Sequence, residues 1–281
     1  MLRVEEVNGV RLYIEDQGSG PAIMTLHGGP GLGSRHTDVA VWKTIAEEGY
    51  RVISYDQRGN GESDQVPPYS HEQFVQDAEA LRKKLGLGRI VLEGHSYGGH
   101  LALEYALRFQ ENLAGLILGD TAASNSYHEK SIRTALDSGL PGTTPENIKR
   151  LFGGQVHSNA EFRAMYKSIL PLYTVTVPSD EEIEQQLDEI PFRYQTHNWA
   201  FSRNQPGFNL LSKLHTIKVP TLVMVGKQDW ITPVEASEDI AREISQSRLV
   251  IFEHSGHAPQ LEEPEAYYST VRKFLAEVLP R

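Results

Sequence analysis

Gly94-His95-Ser96-Tyr97-Gly98 lies between the apolar run Arg89-Ile90-Val91-Leu92 and the helical pattern Leu101-Ala102-Leu103-Glu104-Tyr105-Ala106-Leu107. A strand that turns sharply into a helix holds the residue at its apex in a strained backbone conformation. Small residues two before and two after that apex let the flanking backbone approach closely. The arrangement is that of a nucleophile elbow, with the Ser96 hydroxyl lifted clear of a sheet. A bare Gly-x-Ser-x-Gly is a weak signal in a chain with 24 glycines, and the strand before it and the helix after it supply the specificity.

An alcohol is a poor nucleophile until a base takes its proton and a third group fixes the tautomer of that base. The chain offers both partners downstream. Val219-Pro220-Thr221-Leu222-Val223-Met224-Val225-Gly226 has the pattern of a buried strand and runs into Lys227-Gln228-Asp229. Arg248-Leu249-Val250-Ile251-Phe252 runs into Glu253-His254-Ser255-Gly256-His257. Loops beyond the carboxyl ends of strands in a doubly wound sheet line one crevice, so Ser96, Asp229 and His257 can converge there. Oxyanion donors are expected from the main chain of Gly29, in Leu26-His27-Gly28-Gly29-Pro30-Gly31, and of Tyr97 at the start of the elbow helix. His27 is read as tuning that loop by hydrogen bonding.

Outside these motifs, Val4 to Glu15 alternates around Asn8-Gly9, the dipeptide of a tight hairpin. Apolar strands follow at 22–26, 51–55, 89–93, 113–118, 219–225 and 248–252, separated by helical stretches, which predicts a mostly parallel sheet with helices on both faces. From about Ala122 to Leu214 the alternation stops, as it would across an inserted lid.

The motifs together resemble the α/β-hydrolases, whose triad order is Ser, Asp, His. His27-Gly28-Gly29-Pro30-Gly31, Asp56-Gln57-Arg58-Gly59-Asn60-Gly61-Glu62-Ser63 and Gly94-His95-Ser96-Tyr97-Gly98-Gly99 are similar to the branch that contains the proline iminopeptidases. The likeness is good over residues 1–121 and 219–281 and poor between. It implies an α/β-hydrolase fold: a mostly parallel eight-stranded sheet, a core of residues 1–121 and 215–281, and a helical lid of residues 122–214. It further implies a serine hydrolase that cleaves an amide or ester through an acyl-enzyme, foremost a proline iminopeptidase-like aminopeptidase, with a carboxylesterase or lactonase on small uncharged acyl groups as the alternative. Some relatives carry the triad acid where this chain has Asp120, which makes Asp120 the rival of Asp229. The superfamily histidine follows a glycine, as His257 does and His254 does not.

Two departures from that branch stand out. Asn60 occupies a position where the iminopeptidases usually carry cysteine. His197, just before Asn198-Trp199-Ala200-Phe201, occupies one where they use a glutamate to bind the substrate ammonium. Tyr194, His197, Trp199 and Phe201 are the candidate substrate-binding residues, and the aromatic ones among them could equally be lid core. Ser179 to Ile190 reads as a capped amphipathic helix with a solvated acidic face, or as a source of an ammonium anchor in Glu184 or Asp188.

Composition sets the outer limits. The 281 residues, 39% hydrophobic, contain no apolar run near the ~20 needed to cross a membrane. The start Met1-Leu2-Arg3-Val4-Glu5-Glu6 lacks a secretory pattern, so a cytoplasmic protein without membrane association is expected. Zero cysteines exclude disulfides and a thiol nucleophile. A net charge of −10 with no basic run makes nucleic acid an unfavourable partner. The partner expected is a small-molecule or short peptide substrate. No metal-binding or dinucleotide motif is present, so no metal or cofactor is expected.

Overall fold

The structure, a computed structural model, describes residues 1–280. Asn8 and Gly9 both take positive φ, 47° and 75°, the conformation a two-residue hairpin turn needs. They join β1 (Leu2–Val7) to β2 (Val10–Gly18). The remaining strands are β3 (Ala22–Leu26), β4 (Arg51–Tyr55), β5 (Ile90–His95), β6 (Leu113–Gly119), β7 (Thr221–Gly226) and β8 (Ser247–Phe252). They form one eight-stranded sheet in the order β1-β2-β4-β3-β5-β6-β7-β8, antiparallel at β1-β2 and β2-β4 and parallel from β4 to β8.

The sheet is covered on both sides because its central strands are apolar on both faces. Met24, Ile53, Leu92, Leu116 and Val223 pack with α2 (His71–Lys84), α3 (Tyr97–Phe109) and α10 (Val234–Glu243). Their sequence neighbours Ile23, Val52, Val91, Ile117 and Leu222 point the other way, onto α1 (Arg35–Glu47) and α12 (Pro264–Val278). After β3 the chain moves to one side for β4 and to the other for β5. That reversal opens a crevice at the carboxyl ends of β3 and β5, the place where open α/β sheets hold ligands.

Between β6 and β7 the chain contains α4 (His128–Asp137), α5 (Pro145–Phe152), α6 (Asn159–Ile169), α7 (Asp180–Glu189), α8 (Tyr194–Trp199) and α9 (Leu211–Leu214). The first five of these helices, with the loops around them, build a separate apolar cluster around Ile148, Phe152, Phe162, Met165 and Leu187, to which Trp230 of the sheet side contributes. α7 begins with a capping box between Ser179 and Glu182 and buries Ile183 and Leu187, so its periodicity alone accounts for its acidic face. A short α11 (Pro259–Glu262) precedes α12. Among the described residues no helix is long and apolar enough to cross a membrane.

The loop after β4 is fastened by two charge clusters. The Arg35 guanidinium pairs with Asp56 and Glu62, and Asp56 also accepts the main-chain N–H groups of Arg35 (2.7 Å) and Glu62 (2.9 Å). Arg58 and Asp77, only 3% and 2% exposed, form a bidentate pair at 2.7 and 3.0 Å, and Asp77 also binds Asn8 and Gln73. The pair therefore ties the hairpin turn, the loop and α2 together. Removing one partner of a buried ion pair strands the other charge in a low-dielectric interior. Asp77→Ala is expected to lower unfolding stability by about 3–5 kcal/mol in denaturant titration, and adding Arg58→Met should recover part of that loss.

Candidate active site

Ser96 sits at the turn from β5 into α3 with φ 54° and ψ −121°, a conformation disfavoured for any residue with a side chain. The surroundings enforce it. The Ser96 N–H donates to Gly119 O (2.8 Å), and Ser96 O accepts from the Gly99 N–H (2.9 Å) and the Thr121 hydroxyl (2.6 Å). A Cβ at position 98 would lie 1.8 Å from Leu26 O, so only glycine lets α3 start this close to the end of β3. Ser96 Oγ makes no hydrogen bond to a protein group among the described residues.

His257 follows β8 and is 5% exposed. Its Nδ1 meets Asp229 Oδ2 at 2.7 Å, which places the proton on Nδ1 and leaves Nε2 as the basic nitrogen. Asp229 is fully engaged: Oδ1 accepts from the N–H groups of Ile231 (2.9 Å) and Thr232 (3.0 Å), and Oδ2 also accepts from the Thr232 hydroxyl (2.7 Å). Burial alone would lower the His257 pKa, but the charge and hydrogen bond of Asp229, with a further contribution from Asp120, hold it above the ordinary imidazole value.

Asp120 has φ 46° and is buried behind this pair. Its Oδ1 accepts from the Gly226 N–H (2.9 Å) and its Oδ2 lies 3.6 Å from His95 Nε2. Burial raises its carboxyl pKa; His95 opposes that shift and Asp229 reinforces it. The carboxylate hydrogen-bonded to His257 is thus Asp229, with Asp120 close enough to act on it through charge. His254 is exposed, and its N–H binds Glu263.

The loop after β3 reaches the same crevice. Gly29 has φ 57°, and its carbonyl accepts from the N–H groups of Leu32 and Gly33, both at 2.8 Å. His27 is buried and accepts the Gln57 N–H at Nε2 (3.2 Å), a supporting contact. The loop is gripped from two sides at Gly31. Asn60 Oδ1 accepts its N–H (2.8 Å), and its carbonyl accepts the N–H of Arg193 (2.8 Å), just before α8. A Cβ at position 31 would lie 2.3 Å from Arg193 O. Arg193 Nη2 also donates to Gly61 O (2.8 Å), and the Thr196 hydroxyl to Gly59 O (2.6 Å). The helices between β6 and β7 are thereby hydrogen-bonded to both glycine loops at the site.

A cavity of about 120 Å³ opens at these residues, bordered by Ser96, Gly29 and Tyr97 on the sheet side and by Phe152, Phe162 and Tyr166 opposite. His197 and Phe201 also line it. Tyr194 and Trp199 do not. Trp199 packs against Tyr69 and lies under the Arg203 guanidinium at 4.0 Å, and Tyr194 belongs to the apolar cluster of the inserted helices, its N–H bonded to Asn159. The alternation that exposes some aromatic residues of this segment to the cavity is helical, and the segment's pattern does not reveal which face is inward.

The sequence reading missed three groups that shape the site: Thr232, Tyr173 and Thr121. Thr232 stands three residues after Asp229, a local turn pattern that could have been recognised. The Tyr173 carbonyl accepts the His257 main-chain N–H at 2.7 Å, the two rings pack edge-on at 5.4 Å between centroids, and nothing in the sequence links the two.

The sequence matches the family described as alpha/beta hydrolase fold over residues 21–264. Proline iminopeptidase PfmaB of Pestalotiopsis fici is 31% identical, covering 98% of this chain and 99% of that protein. A proline iminopeptidase of Saccharolobus solfataricus is 32% identical, covering 99% of this chain and 94% of the relative. Among solved structures, the esterase EaEST of Exiguobacterium antarcticum superposes with a TM-score of 0.77 at 25% identity, covering 98% of this chain and 99% of the other.

The raised His257 pKa fixes the sign of a pH effect. A base that must be unprotonated becomes active as pH rises through its folded-state value, so the acidic limb of kcat/KM should lie above ~6.5. Asp229→Asn should move that limb to lower pH and cut kcat by ~10⁴-fold. Asp120→Asn should move the limb in the same direction by less and cost far less rate. Profiles of the three proteins check this, and a limb that Asp229→Asn leaves in place would contradict the assignment.

Proposed function

The chain belongs to the α/β-hydrolase family, and we propose that Ser96, His257 and Asp229 make it a serine hydrolase that cleaves an amide or ester bond through an acyl-enzyme. The observation that carries this reading is the 2.7 Å contact between Asp229 and His257, beside a serine held at positive φ on the same crevice. His257 Nε2 takes the Ser96 Oγ proton as Oγ attacks the substrate carbonyl carbon. The carbonyl electron pair moves to oxygen, and the N–H groups of Gly29 and Tyr97 donate to the oxyanion so formed. The proton on His257 Nε2 passes to the departing amine or alkoxide as its bond to carbon breaks. Water then attacks the ester of Ser96 with His257 again as base, releasing the acid and restoring the hydroxyl.

Proline iminopeptidase-like aminopeptidase activity is the foremost substrate assignment. Full-length similarity to two relatives bearing that name supports it. The alternative is a carboxylesterase or lactonase on small uncharged acyl groups, favoured by the largely apolar wall that Phe152, Phe162 and Phe201 give the cavity. Residues 122–214 are proposed to act as a lid whose inner side forms that wall, over a core of residues 1–121 and 215–281. The substrate is a short peptide or small molecule, and cytoplasmic location is part of the same proposal.

A fluorophosphonate probe should label the protein on Ser96, and Ser96→Ala should abolish labelling as read by mass spectrometry of the probe-bearing peptide. Labelling that persists in the variant would refute Ser96 as nucleophile.

A further inference from the structure

Among the described residues none that lines the cavity is Asp, Glu, Lys or Arg. Its titratable groups are neutral as well. Burial lowers the imidazole of His197 to about 4 and that of His100 to about 3, and lowers His128 too. The phenols of Tyr97, Tyr127, Tyr166 and Tyr173 are all shifted upward by burial.

The acids around the cavity have other partners, Asp120 accepting from the Gly226 N–H (2.9 Å) and lying 3.6 Å from His95 Nε2. Both oxygens of Asp229 are taken by Ile231, Thr232 and His257. Asp239, behind Tyr127, accepts from that phenol and pairs with Arg242. Glu184 and Asp188 do not line the cavity; their side chains are 44% and 75% exposed and pair with Arg163 and Lys167. His197 is sandwiched between Phe162 and Phe201 at centroid distances of 4.2 and 4.6 Å, with Nε2 donating to Leu151 O at 2.8 Å. It packs the wall and offers no negative charge.

A cation moved into such a space loses its hydration with no counter-ion in return. We infer that this pocket admits the acyl part of its substrate only in uncharged form: a small ring or short chain without an amine, or an N-terminal amine as its free base. The volume agrees, since an apolar cavity of ~150 Å³ accepts a benzene ring. The inference rests on the serine-hydrolase reading and narrows its substrate class.

Prolyl p-nitroanilide and cyclopentanecarbonyl p-nitroanilide have nearly the same shape and differ in the amine. Each kcat/KM, measured from pH 6 to 9, is divided by the rate of hydroxide-catalysed hydrolysis of the same compound. Titration of His257 affects both and cancels in their ratio. The prolyl-to-cyclopentanecarbonyl ratio should rise about tenfold per pH unit below the amine pKa of ~8 and then level. A ratio that is flat or falls with pH would overturn the inference.

A second readout needs no turnover. Cyclopentanecarboxamide should protect Ser96 from the fluorophosphonate equally at pH 6 and pH 9, and prolinamide about a hundredfold less well at pH 6 than at pH 9. Prolinamide that protects better at pH 6 would overturn the inference and leave the serine-hydrolase reading standing. Failure of Ser96 to label would overturn both.

Discussion

The site depends on one close approach, that of the start of α3 to the end of β3. Gly98 lies against Leu26 O so tightly that a single methyl group would clash. That approach forces Ser96 to positive φ, turns its side chain away from the sheet and brings the Tyr97 end of the helix beside the Gly29 loop. The strain is maintained because three hydrogen bonds, to Gly119, Gly99 and Thr121, define the Ser96 backbone from different elements. The topology then supplies the rest. The reversal of strand order at β3 opens the crevice, and β7 and β8 deliver Asp229 and His257 to its edge.

Two electrostatic regimes meet within this crevice. On the sheet side, carboxylates surround one imidazole and raise its pKa. On the side of the inserted helices, the His197 imidazole and the Tyr166 and Tyr173 phenols are buried without charges and stay neutral. In the proposed reaction the raised imidazole is where the proton moves, and the wall proposed to receive the acyl group carries no Asp, Glu, Lys or Arg side chain. The two sides are not independent. The hydrogen bonds from Arg193 and Thr196 to the glycine loops make the placement of the Gly29 loop depend on where the inserted helices sit.

The core was legible because its strands are short, apolar and bounded by glycine motifs with fixed meaning. The Asn8-Gly9 hairpin, the elbow at Ser96 and the turns after β7 and β8 all carry local sequence signatures. The inserted helices were less legible. α7 announced itself through Ser179 and Glu182, yet the side of each helix that faces the cavity is set by packing between distant segments. Phe162 and Tyr166, which line the cavity, lie outside the aromatic run that drew attention to Tyr194 and Trp199. The same reason hid Tyr173, whose partner His257 is far along the chain.

The proposed reaction passes through an ester of Ser96. Intact-mass spectrometry of the protein, acid-quenched within the first turnover of p-nitrophenyl cyclopentanecarboxylate, detects that ester. The predicted result is a single mass increment of one cyclopentanecarbonyl group, carried by the peptide containing Ser96 and lost on longer incubation. Nitrophenol release with no increment, or an increment on another residue, would contradict it.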